Sequence, residues 1–277
     1  MALMVGVLRK TLVSLVIALW AFCHPKSFAD DISTPPEKHL KKCGQQAVIA
    51  VFSGDKVKLA DGTIVSLADT KAPELWPDDS DYNSWPYAFQ SKFALSRLVL
   101  NKAVALFCSK KSQTLMGELS AHLILETGVW VQQEMLTSGH AFYFAQVKSN
   151  LPHEGLLKFE QEARQQKRGL WSYTGYRFQK ASVDENKNIR PGWFQFIEGR
   201  VLSAKRNNNR VFLNFGPDWS KDFTIEVPLK FARKLRFSKT PEALEQKNIR
   251  VRGWVEWAGG PKIILTSASH LQIAEEP

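Results

Sequence analysis

Metal-ligand motifs are missing from this chain: none of its three cysteines falls in a C-x-x-C spacing, and no H-E-x-x-H occurs among its six histidines. That excludes the common local zinc signatures. His122, His140, His153 and His270 are dispersed, and His122, within a strand pattern, reads as a packed side chain in preference to a catalytic base. Long apolar runs are missing as well. The run over residues 12–22 is too short for a comfortable membrane-spanning helix. Acidic residues are also in deficit, 27 against 37 Lys and Arg, for a formal charge of +10. A cationic protein suits polyanions, whether nucleic acid or an anionic surface, although charge alone also serves solubility.

What is present begins with a targeting pattern. Arg9 and Lys10 precede the apolar run, and Ser27-Phe28-Ala29 supplies a small-x-small cleavage site, so residues 1–29 read as a secretory signal peptide. Its removal leaves about 248 residues, a formal charge of about +7 and no expected transmembrane segment, with a periplasmic or secreted location. Cys43 and Cys108 then form an even pair in an oxidising compartment, but sequence does not give their separation, and a disulfide stays open. Residues 30–42 are polar and contain Pro35-Pro36, as a disordered lead-in would.

From Cys43 onward short strands are expected over 47–52, 56–59 and 63–67, joined by Ser53-Gly54-Asp55 and Asp61-Gly62 turns. Further strands fall at 104–107 and 121–125. Helices are expected over 89–100, where Phe89, Phe93, Leu95, Leu98 and Val99 recur near helical spacing, over 130–138 ending at Gly139, and over 156–167.

Within this stretch, Val65 to Glu74 reads V-S-L-A-D-T-K-A-P-E, which resembles the V-R-L-x-G-I-D-x-P-E signature of the staphylococcal nuclease (thermonuclease) family. The G-L-W at Gly169 to Trp171, closing a basic helix, is similar too. The resemblance covers residues 43–174 and implies a five-stranded OB-type barrel capped by three helices, with Ca²⁺-dependent phosphodiesterase activity as the family chemistry. Carried over position by position, it places Asp55 at one of the two metal-binding aspartates and Glu74 at the carboxylate that positions the attacking water. The second aspartate has become Lys71. The two phosphate-clamping arginines have become Ser66 and Glu118, the latter in T-L-M-G-E where the family has D-x-Y-G-R. Shifting the alignment to use Asp69-Thr70 puts Ile64 at the first arginine position and still leaves Glu118 at the second. Loss of cationic stabilisation on this scale predicts a degenerate site, with no cofactor, and Ca²⁺ only if the site still functions.

Residues 175–192 read as a linker and 193–274 as a second OB-like barrel, ordered three strands, helix, two strands. The fold class is thus mainly β with helices. Candidate nucleic-acid contacts in the second barrel are Lys205, Arg206 and Arg210 on a hairpin, Lys230, Arg233 and Lys234 on the helix, and Trp254, with Trp219 and Trp257 as further rings. Strand alternation expects Trp254 and Trp257 to face opposite ways. The leading functional expectation is an exported protein, no longer catalytic, that binds single-stranded nucleic acid or another polyanion. An active secreted nuclease with a rearranged site, and a cell-envelope scaffold that meets an envelope protein, stay open beside it.

Overall fold

A computed structural model describes residues 36–77, 83–109, 113, 117–145, 153–181, 188–218 and 220–274, without the side chains of 153 and 154. The expected signal peptide, residues 30–35 of the lead-in, Thr114 to Met116 and Trp219 lie outside them. The rest of the lead-in is ordered: Pro36–Lys38 makes a 3-10 turn and β1 (Lys41–Ser53) begins within it. All described residues belong to one compact unit, Ser33–Pro277.

The first half is a closed barrel of β1, β2 (Lys56–Leu59), β3 (Ile64–Leu67), β5 (Ala103–Cys108) and β6 (Leu119–Leu125), in the order β1-β2-β3-β6-β5. Alternate residues of each strand point inward, among them Val48, Val57, Leu59, Val65, Leu67, Val104 and Leu123, all at most 1 % exposed. Gly54 is needed here for space: a Cβ would lie 1.8 Å from Ser91 Oγ and 2.7 Å from Ala72 Cβ.

Three helices cover the barrel: α1 (Ala88–Val99), α2 (Val131–Thr137) and α3 (His153–Gln165). The inward face of α1 is Ala88, Ser91, Leu95 and Val99, while Phe89 and Phe93, part of the helical spacing, stand 61 % and 64 % exposed. Two short strands not legible in the sequence, β4 (Thr70–Lys71) and β7 (Phe142–Tyr143), pair with each other and tie the segment after β3 to the segment after α2.

The second half is an eight-stranded sheet of β8 (Gln179–Lys180), β9 (Phe194–Arg200), β10 (Ser203–Asn207), β11 (Arg210–Asn214), β12 (Thr224–Pro228), β13 (Asn248–Ala258), β14 (Gly260–Ile264) and β15 (Leu271–Ile273), with α4 (Leu229–Lys234) after β12. Pairing runs β10-β11-β12-β14-β13-β9, with β12 and β14 parallel. Only Val201 and Leu202 separate β9 from β10 along the chain. The expected linker is partly structural: Thr174–Tyr176 is a 3-10 turn with Tyr176 buried, and β8 pairs with β9.

The halves share a packed seam. Phe142 stacks on Phe194 at 5.0 Å, and Trp171 and Phe142 both set an edge against Phe196. Beneath them Arg252 of β13, 3 % exposed, donates to the Tyr143 carbonyl and to both carboxylate oxygens of Glu160 on α3. Burial alone would raise the Glu160 carboxyl, but the charges of Arg252 and Arg164 and their hydrogen bonds hold it below its ordinary range. Among the described residues no helix is long and apolar enough to cross a membrane.

Candidate functional site

The β1–β2 turn, β3, the segment after β4 and the residue before β6 bring the catalytic positions inferred from the signature into paired groups. Asp55 is held at both oxygens: Ser53 Oγ–H donates to Oδ1 at 2.5 Å and the Ala72 N–H to Oδ2 at 3.1 Å. It latches the turn onto the chain leaving β4. Glu118 accepts from Ser66 Oγ–H at 2.5 Å and from Lys56 Nζ at 2.5 Å. Lys56 and Ser66 are register partners across β2 and β3, so one pairing aims both at the same carboxylate. Lys71 forms an ion pair with Glu74 one turn of chain away.

The electrostatics follow from these contacts. Partial burial would raise the Glu118 carboxyl, but the hydrogen bonds from Lys56 and Ser66 and the Lys56 charge outweigh it and keep the group ionised below its ordinary range. Ser66 and Glu118, inferred from the resemblance as the phosphate-clamping positions, thus bond to each other, one as a hydroxyl donor and one as an anion. Lys56 was not singled out from sequence. Its partner lies 62 residues away and only the strand register brings the two together.

The donor set does not fit Ca²⁺. Calcium takes six to eight oxygens, whereas here Asp55 is committed to an amide and a hydroxyl, and Lys71 places an ammonium against Glu74. Among the described residues no group of three His, Cys, Asp or Glu is arranged to hold a metal. His122 is 1 % exposed, accepts from Trp130 Nε1–H at 3.3 Å and lies 3.5 Å from Asp69, a packed histidine as expected. Cys43 and Cys108 form a disulfide, the pairing that sequence had left open.

The seven residues inferred as nucleic-acid contacts do not all line one cleft. Lys205 and Arg206 line a cleft of about 590 Å³ over β10, β11 and β12, and Arg210 reaches its edge through an ion pair with Glu226. Lys230 lies over the Phe231 ring at 4.7 Å, and Arg233 and Lys234 stand exposed on α4, none of them lining the cleft. Trp254 belongs to the seam, edge-on to Trp85 at 5.7 Å and to Phe194 at 5.8 Å. Trp257 is 61 % exposed against 40 % for Trp254, so neither ring is sheltered: Trp257 sits at the end of the β13–β14 hairpin, beyond the core. Phe212, Asn214 and Lys262 line the cleft and had not been recognised. A larger groove of about 690 Å³ lies between α1 and α2, lined by Phe89 and Phe93 and by none of the catalytic positions.

Comparison with known proteins agrees with the closed barrel of the first half. Residues 64–173 match the family described as staphylococcal nuclease homologue, a stretch that includes Ser66, Lys71, Glu74 and Glu118 but not Asp55 or Lys56. A probable staphylococcal-like nuclease, CAN4, of Oryza sativa subsp. japonica is 28% identical over 159 residues, 54% of this chain. An uncharacterized endonuclease of Escherichia coli is 29% identical over 128 residues, 45% of this chain and 75% of that protein, and one of Escherichia coli O157:H7 matches equally. The match spans 29% of the rice protein's length. Family match and closed barrel together make the first half a staphylococcal nuclease-like domain.

Proposed function

We propose that the staphylococcal nuclease-like domain of this chain has exchanged catalysis for binding, and that the protein acts outside the cytoplasm as a binder of nucleic acid or another polyanion. The observation that carries this reading is the Glu118 carboxylate held by Ser66 and Lys56, Glu118 and Ser66 standing, by the resemblance, where the family has its phosphate-clamping arginines. Phosphoryl transfer depends on cations facing the oxygens on which charge develops. A positioned arginine contributes about 10³ to 10⁵ in rate in well-studied cases, and a carboxylate in its place repels the same oxygens. Lys71 cannot replace a metal, since an ammonium gathers no oxygen ligands and generates no hydroxide. The N-terminal pattern and the Cys43–Cys108 disulfide support export to an oxidising compartment. The excess of cations supports a polyanionic partner.

The test is incubation of the purified protein with single-stranded DNA and RNA, with and without Ca²⁺. No cleavage above background is expected. Ser66→Arg, Lys71→Asp and Glu118→Arg combined should recover measurable cleavage while each alone recovers little, because such groups act as a unit. Robust wild-type cleavage abolished by Glu74→Ala would overturn the reading.

A further inference from the structure

We infer that the cleft over β10, β11 and β12 is a site for single-stranded nucleic acid, with one base stacked on Phe212 and the flanking phosphates held by cations around the ring; this rests on the polyanion reading above. The cleft is built from the outward rows of a sheet whose inward residues, Val211, Leu213, Ile225 and Val227, are fully buried, so its side chains stand on a rigid floor. Register sets the rows. Phe212 lies between Lys205 on one neighbouring strand and Glu226 on the other. One step along, Ser203, Asn214, Thr224 and Lys262 form a second row.

Glu226, 4 % exposed, is not a ligand group: it pairs with Arg210 and, at 3.5 Å, with Lys262. It is a positioning residue that fixes two cations beside the half-buried Phe212 ring, and Lys205 approaches from the opposite strand. An aromatic face framed by three cations suits a base between phosphates. The second row supplies the polar edge. Asn214 Nδ2–H donates to Ser203 Oγ and Thr224 Oγ1–H to Asn214 Oδ1, each at 3.1 Å. By valence this leaves the second Asn214 amide hydrogen and the Ser203 hydroxyl hydrogen to meet acceptors on a base.

The exposed ring of Trp193 is less suited, since Trp85 stacks on it at 6.4 Å and Arg190 lies over it at 5.7 Å.

The experiment is fluorescence anisotropy of a labelled single-stranded oligonucleotide against the purified protein at several salt concentrations. Wild type should bind, with affinity falling as salt rises. Phe212→Ala should weaken binding about tenfold to a hundredfold at unchanged salt slope, and Phe212→Trp should retain it. Lys205→Gln should flatten the log-log salt slope by about 0.7, the loss of one phosphate contact. If Phe212→Ala lowers the melting temperature sharply, Asn214→Ala with Lys205→Gln carries the test from the exposed side. Wild-type binding unaffected by Phe212→Ala and by the double variant would overturn this site and leave the polyanion reading standing. No wild-type binding at 50 mM salt would overturn this site and remove nucleic acid from the polyanion reading. Phe212-dependent binding of a neutral oligosaccharide in place of the oligonucleotide would overturn the ligand class.

Discussion

Ser66 and Glu118 are coupled: the hydroxyl of one bonds to the carboxylate of the other, with Lys56 closing the group. The five positions carried over from the resemblance could be named because they fall in short motifs. Lys56 could not, because its role depends on register and on a partner beyond several elements. The held-down Glu118 carboxyl gives a pH signature. A folded carboxyl below its unfolded value stabilises the protein above the ordinary carboxylate range, near pH 4.3, and that contribution is lost as pH falls through the folded value. Lys56→Met should therefore lower the melting temperature at pH 7 and lower it less at pH 3. An equal loss at both would assign Lys56 a packing role only. At the neighbouring pair, calorimetric titration should find no Ca²⁺ site tighter than about 100 μM, since Lys71 and Glu74 satisfy each other.

Elements were read best where alternation or helical spacing ran several residues, as in the first three barrel strands and the three covering helices. They were missed where pairing alone makes the strand. The first six residues of β1, K-K-C-G-Q-Q, have no apolar alternation, yet they pair with β5 from Lys41 opposite Cys108 to Gln46 opposite Val104. The disulfide lies inside that pairing and closes a loop of 65 residues. Limiting the unfolded chain in this way is worth about 2 to 4 kcal/mol. Cys43→Ser with Cys108→Ser should lose stability of that order in urea unfolding, and the wild type in reductant should approach the variant. A midpoint unchanged by the double substitution would mean that the β1–β5 pairing holds without the bond.

At the scale of the whole molecule, two barrels were expected from sequence but not their union, because the groups that join the halves are scattered from Trp85 to Trp254. Arg252 illustrates the difficulty. In β13 it reads as one more cation of a basic half, yet it is buried against Glu160 and Tyr143 of the other half. Removing one member of a buried ion pair costs about 3 to 5 kcal/mol, because the partner is left uncompensated. Arg164 stays beside Glu160, so Arg252→Met should fall toward the lower end of that range. The same seam predicts the fate of the halves. Residues 193–274 expressed alone would present Arg252, Phe194 and Phe196 to water, and residues 43–174 would present Phe142 and Trp171. Each half should be aggregation-prone or partly unfolded, whereas the two mixed together should gain a cooperative melting transition and near-ultraviolet dichroism. Two soluble halves that each melt cooperatively, with no change on mixing, would show that the seam is a contact between independent domains and that Arg252 adds nothing to their stability.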